Sequence, residues 1–275
     1  NSQAVRLLLK ANQNLEADAL FKRFIREDKM AEKHIHELQM MNYELAMATS
    51  YAQEFKWPNA LGLLQIVERN EQELFEDQFD FYSFCLRKYT LVPLYETLKF
   101  NDVGFKASKV GMRASSKFYK ALALTQDWRI VEQATVNAKK AELGEEKFAE
   151  WSKERETQMK SNTIETTEEL RAAIDLDGSD FVKKVDFEKK RVEIAAKLAV
   201  VEQSLVKPAL KAKVYQMLFW HAIHTKNITK AIDAFTKAVS GEEQPYDIEL
   251  FPVKLAHLLK EDTKIDDKQR ETYQK

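Results

Sequence analysis

Apolar side chains return every three to four positions along almost the whole chain, the period of an amphipathic helix. Val5, Leu8 and Leu9 are followed, after the polar break Asn12-Gln13-Asn14, by Leu15, Ala19, Leu20, Phe24 and Ile25. That pattern predicts a helix–turn–helix. A long helix is predicted over about 35–55, with Leu38, Met41, Leu45, Ala48 and Ala52 along one face. Trp57-Pro58-Asn59 interrupts it, and Pro58 stands where a first helical turn tolerates proline. The next helix carries Ala60, Leu63, Leu64, Val67 and Leu74. Helices are also expected at about 79–88, 91–100, 104–125 and 138–160, then at 187–205, 208–225, 228–239 and 248–260. A Thr-, Glu- and Asp-rich stretch holding Gly178 reads as a linker over 161–180, and the last dozen residues are polar.

Three second-helix segments look alike: Leu15-Glu-Ala-Asp-Ala-Leu-Phe21, Pro58-Asn-Ala-Leu-Gly-Leu-Leu64 and Thr229-Lys-Ala-Ile-Asp-Ala-Phe235. Each sets an alanine (Ala17, Ala60 or Ala231) four residues before a large apolar side chain, where a small residue lets a partner helix come close. The first two alanines lie 43 residues apart, more than the 34 of a regular tetratricopeptide repeat. Degenerate tetratricopeptide-like hairpins fit this spacing. The alternative is a pattern that any amphipathic α-hairpin produces by chance. The expected fold is therefore all-α, a superhelix of stacked hairpins (an α-solenoid). Its segments are repeats over 1–126, a charged helix and linker over 127–180, and C-terminal hairpins over 181–275.

Composition agrees with this picture. Six glycines and five prolines in 275 residues leave too little turn chemistry for many short strands. With 43 basic against 44 acidic residues, no global charge draws the chain to nucleic acid or acidic lipid. Cys85 is the only cysteine, which excludes an intrachain disulfide and a Cys-based zinc site and suits a reducing compartment. Apolar runs such as Met217–Trp220 fall far short of the ~20 residues of a membrane span, so no membrane partner is expected. Asn1 is not an initiator Met and helical pattern starts at once, without a signal peptide. The sequence reads as a piece of a longer protein whose stack continues upstream.

Catalytic chemistry is not legible in it. There is no Gly-x-Gly, no Gly-x-Ser-x-Gly elbow and no Gly-rich turn of the kind that cradles the pyrophosphate of acetyl-CoA. His221 and His224 could share a helix face, but no carboxylate stands at matching spacing, so packing is expected and metal binding is not. Phe79, Phe81, Phe84 and Cys85 are expected to pack between helices. One charge pattern stands out: Lys106, Lys109, Arg113, Lys117 and Lys120 line one ridge of a helix, opposite Phe105, Met112, Tyr119 and Leu122. Such a ridge could contact phosphates, as on a ribosome; the alternative is an ordinary solvated face.

The segment Asp77-Gln-Phe-Asp-Phe-Tyr-Ser-Phe-Cys-Leu-Arg-Lys88 resembles a block, Asp-Gln-Phe-Asp-Phe-His-x-Tyr-Cys-x-Arg-Lys, of the large auxiliary subunit of the NatA N-terminal acetyltransferase complex. Asn1-Ser2, Leu9-Lys-Ala-Asn12, Phe24-Ile-Arg-Glu27, Glu37-Leu-Gln-Met40, Ile66-Val-Glu-Arg69 and Thr90-Leu91 follow the same family's order over about 1–125. From 180 onward the likeness is thinner and rests on helix order around Val206–Val239. Tyr82 replaces the family's His. Where the family has a strongly basic stretch, Lys139-Lys140 opens a nearly balanced mixture of Lys, Arg and Glu.

The resemblance implies a non-catalytic scaffold that binds the NatA catalytic subunit. It also implies anchoring at the ribosome, on protein and rRNA near the exit tunnel, for acetylation of nascent chains in the cytoplasm. Acetyl-CoA would belong to the partner alone. A second acetyltransferase subunit or small regulatory protein is a further implied partner. Inositol hexakisphosphate is implied near the first helix, where Arg6 and Lys10 match the family's basic positions and Gln3 and Leu7 replace its Lys and Tyr. An unrelated tetratricopeptide-like adaptor for another protein or ribonucleoprotein complex is the alternative.

Overall fold

A recurring turn organises the chain. In a computed structural model, residues 2–23, 41–89, 91, 92, 94, 95, 98, 109–164, 174–202, 208–245 and 248–261 are described. The helices are α1 (Ser2–Lys10), α2 (Asn14–Lys22), α3 (Met41–Gln53), α4 (Trp57–Glu76), α5 (Gln78–Arg87), α6 (Lys109–Lys160), α7 (Ser179–Lys184), α8 (Phe187–Glu202), α9 (Pro208–His224), α10 (Ile228–Ser240) and α11 (Leu250–Glu261). No strand occurs among the described residues.

Helices α1, α3 and α9 all end on a residue with left-handed backbone: Asn12 (φ 56°), Phe55 (φ 61°) and Lys226 (φ 53°). The following N–H then reaches back five residues to close the helix end, Gln13 to Leu8 O at 2.9 Å, Lys56 to Tyr51 O at 2.9 Å and Asn227 to Ala222 O at 2.8 Å. Five residues after each left-handed residue comes Ala17, Ala60 or Ala231, and all three are fully buried. The partners α1 and α2, α3 and α4, and α9 and α10 pack as antiparallel pairs. The small-residue pattern of the sequence is thus a real close approach in each hairpin.

The chain divides into two units, 1–84 with 120–187 and 85–119 with 188–275. In the first, Val5 and Leu9 of α1 and Leu45, Met47, Leu61 and Leu64 of the next hairpin fill the core. Helix α2 departs from expectation. It buries Asn14, Ala17 and Asp18 and leaves Leu15 outside, because the polar pair finds partners: Tyr43 Oη donates to Asp18 at 3.4 Å, and Asn14 bonds Asn162. Gly62 has no room for a side chain, since a Cβ there would lie 2.4 Å from Asp175 O, where the 174–178 turn crosses α4. Asp175 in turn accepts the Phe181 N–H at 2.7 Å and starts α7 inside the segment expected to be a linker.

Helix α6 runs on through the gap expected between 125 and 138, and it breaks at Gly144 (φ 72°, ψ 173°). The returning arm ends at Ser161-Asn162, which fastens it to two hairpin turns. Asn162 donates to Asn12 O and Glu54, and its own Oδ1 accepts from Asn14 N at 3.1 Å. Lys56 donates to Ser161 O, and Tyr51 Oη accepts the Ile164 N–H at 3.2 Å.

The second unit centres on Phe219 and Phe251, stacked 3.9 Å apart at 3° and fully buried. Ala222, Ala231, Ala234 and Ala238 let α9, α10 and α11 close around them. The predicted first turns of the helix over 35–55, Phe105 and the last dozen residues lie outside the described residues.

Candidate interaction surfaces

Helix α5 carries more exposed aromatic surface than its sequence suggests. Phe79 is 79% exposed, Phe81 41% and Phe84 46%, whereas Cys85 is buried and Tyr82 half-buried. The expected packing of the three phenylalanines between helices is therefore overturned; it holds for Cys85. Only one side of α5 faces protein, and a chain of apolar residues cannot say whether its cover lies in the same molecule. Leu86 on the same helix is exposed too, as are Tyr89, Leu91, Val92, Tyr95 and Leu98 after it in sequence. The sequence signal was present in α5 itself, which is apolar around most of its circumference instead of along one stripe.

The basic ridge is partly placed. Arg113 and Lys120 are exposed on α6 and Lys117 is half-buried, while Met112, Phe118, Tyr119 and Leu122 turn inward. Lys109 lies on the helix, its side chain outside the described set, and Lys106 is outside the described residues. On α1, Arg6 and Lys10 stand one turn apart and exposed, above the buried Val5 and Leu9.

A third cluster lies in the second unit, where α6, α8 and α9 meet. Tyr119 Oη and His221 Nδ1 are 3.1 Å apart, and the rings meet edge-on at 5.8 Å. Burial pushes the Tyr119 phenol up to about 12, against the pull of the Arg191 charge. His221 is held below its ordinary value by burial first, then by the charges of Arg191, Lys230 and His224. Lys190 lies 5.8 Å from the Phe118 ring centre. His224 turns Nδ1 to Trp220 O at 2.9 Å, so the two histidines do not converge. Among the described residues no group of three or more His, Cys, Asp or Glu side chains is placed to hold a metal ion. No described helix is long and apolar enough to cross a membrane. Sequence reasoning missed Arg191, which stands beside Lys189 and Lys190 and looks like part of a solvated run.

Stacked α-hairpins with exposed apolar and basic faces define a helical-repeat protein. Comparison with known proteins gives the family. The family model for the N-terminal acetyltransferase A auxiliary subunit matches residues 1–211, and the chain belongs to that family. It is 30% identical over 125 residues to the Homo sapiens N-alpha-acetyltransferase 16, NatA auxiliary subunit, covering 43% of this chain and 14% of that protein. It is 37% identical over 102 residues to the Arabidopsis thaliana N-terminal acetyltransferase A complex auxiliary subunit NAA15, covering 37% of this chain and 11% of that one. Its fold matches a chain of the solved Naa15/Naa10 complex bound to HypK-THB at a TM-score of 0.64 and 17% identity, over 100% of this chain and 34% of that one. The family match reaches well past the 1–125 stretch that carries the motif resemblance. The chain thus spans only a minor part of each relative.

Proposed function

We propose that this chain holds the catalytic subunit of an N-terminal acetyltransferase and sets it beside the ribosomal exit tunnel, in the cytoplasm, where nascent chains are acetylated. The observation that carries the reading is α5. A helix apolar on most sides is stable in water when something covers it, and exposed aromatic side chains are the usual core of a protein interface. The solved relative is a complex of Naa15 with Naa10 and HypK-THB, which supports an acetyltransferase subunit as the main partner and a small regulatory protein as another. Arg113, Lys117 and Lys120, with Lys106 and Lys109 before them, supply the phosphate-contacting ridge for rRNA. Arg6 and Lys10 supply two cations for inositol hexakisphosphate.

The test is affinity capture of the full-length parent from its own cells, with mass spectrometry of co-purifying proteins. An acetyltransferase subunit is expected at stoichiometric level, with ribosomes that leave as salt rises. Phe79→Glu with Leu86→Glu should lose the acetyltransferase subunit and keep the ribosomes; retention of that subunit would overturn the role of α5. Lys109→Glu with Arg113→Glu and Lys117→Glu should do the reverse, and unchanged cosedimentation would reduce the ridge to a solvated face.

A further inference from the structure

Between 128 and 164 the chain runs through two helical arms and buries none of its side chains. In the returning arm of α6, 145–160, only Phe148, Trp151, Arg155 and Met159 are even half-buried. The ion pair that ties this arm to the outgoing one, Arg155 with Glu132, is itself partly open to water, and pairs so exposed hold weakly. Apolar burial therefore does little to keep the arm down. Beyond it the chain is fixed again. Ile174 is buried, and the 174–178 turn presses so closely on α4 that neither Gly62 nor Gly178 has room for a Cβ. All of this lies in the first unit.

What holds the arm is polar and sits at its far end. Asn162 donates to Asn12 O and to Glu54, and it accepts from Asn14 N at 3.1 Å. Lys56 is divided between Ser161 O and Glu54 Oε2, the latter at 2.7 Å, and the Ile164 N–H meets Tyr51 Oη. This clasp carries two costs. The Lys56 ammonium is 4% exposed, and the fully buried Asn14 Oδ1 meets no donor among the described residues. Asn14 and Lys56 both bond directly to the arm's end, so its departure lets water reach them and relieves both costs.

We propose that the returning arm is a strap latched by this clasp. Residues 145–164 leave as one piece while the buried core of α3 and α4 stays folded, and the two hairpin turns at 12–14 and 54–56 are uncovered. A lone helix of the arm's length is marginal in water, so the strap melts as it leaves.

The experiment is amide hydrogen exchange of the whole chain, read by mass spectrometry on overlapping peptides, in urea below the unfolding transition. In wild type the amides from Phe148 to Lys160 should share one rate, at least about 100-fold faster than the core of α3 and α4. That rate should be nearly independent of urea, because the opening exposes little surface, whereas the α3 and α4 rates should climb steeply. Val67→Ala, in the buried core of α4, should speed α4 about tenfold and leave the arm's rate unchanged. Asn162→Ala should speed the arm about tenfold. An arm rate that climbs with urea as steeply as that of α4 overturns the proposal, since the arm then opens only with the core. Rates that fall off steadily from Lys160 back to Phe148 also overturn it, because they describe a fraying helix end. An arm that Asn162→Ala leaves unchanged overturns it by removing the clasp from the latch. The wild-type urea dependence decides the matter even if a variant fails to fold.

Discussion

Arg155 grips Glu132 across 23 residues of the same helix α6, with Nε donating to Oε1 at 2.9 Å and Nη2 meeting Oε2. In an unbroken helix those residues would stand roughly 35 Å apart. Gly144 therefore reverses the chain, and its φ of 72° with ψ of 173° is a conformation open to glycine and almost nothing else. Arg155 also lies 5.1 Å over the Trp151 ring, which fixes the returning arm's inner face.

Gly144→Ala should consequently open the hairpin, at a cost of about 1–3 kcal/mol to the closed form. Spin labels at Gln133 and Glu154, both exposed, report it. Wild type should give a short distance, and the variant a population near the roughly 32 Å of a straight helix. An unchanged distance distribution would show that Arg155 and Glu132 hold the reversal without the glycine.

Gly144 also illustrates what the sequence conceals. A lone glycine in a helical pattern reads as tolerated, and the charges on either side keep their helical spacing across it. Ala17, Ala60 and Ala231 were legible because close helix approach demands a small side chain, and size is written in the residue type. The left-handed residues five positions earlier were not, since Phe55 and Lys226 carry no turn signal and only Asn12 does. Helix α5 was placed correctly along the chain and wrongly assigned to the interior. Hydrophobicity says that Phe79 needs cover and is silent on which molecule provides it. Arg191 needed the fold, because periodicity does not reveal which of three neighbouring cations turns inward.

Truncating two phenylalanines should separate core from surface. Phe219 is fully buried and stacked on Phe251, so Phe219→Ala should cost roughly 3–5 kcal/mol. Phe79→Ala removes an exposed ring and should change stability by less than about 0.5 kcal/mol. Urea midpoints of the two variants measure this directly. A large loss at Phe79 would place its ring in the core after all.

The left-handed turns offer a stabilising change. Lys226 is exposed with φ 53°, a conformation that strains most residues bearing a Cβ, lysine among them. Lys226→Gly should raise stability by about 0.5–1 kcal/mol, the relief of strain exceeding the added chain entropy. Asn12→Gly should bring no such gain. Asparagine tolerates this backbone, and the Asn12 side chain accepts from Ser50 Oγ at 3.0 Å. Thermal unfolding of both variants tests the contrast, and a stabilised Asn12→Gly would contradict it.

The contact between Tyr119 and His221 should make the second unit sensitive to acid. With a neutral imidazole, the phenol donates to Nδ1 across 3.1 Å. Burial and the charges of Arg191, Lys230 and His224 hold the folded-state value of His221 below the ordinary 6.5. The unfolded chain therefore takes up the proton first as pH drops. The stability that neutral His221 contributes is complete above 6.5, and it is lost as pH falls from there through the folded-state value. The urea midpoint should accordingly decline between about pH 7 and pH 5. His221→Gln keeps a hydrogen-bonding side chain without a titrating ring, so its midpoint should fall less over that interval. Identical declines in the two proteins would assign the acid sensitivity to the carboxylates and leave His221 a packing residue.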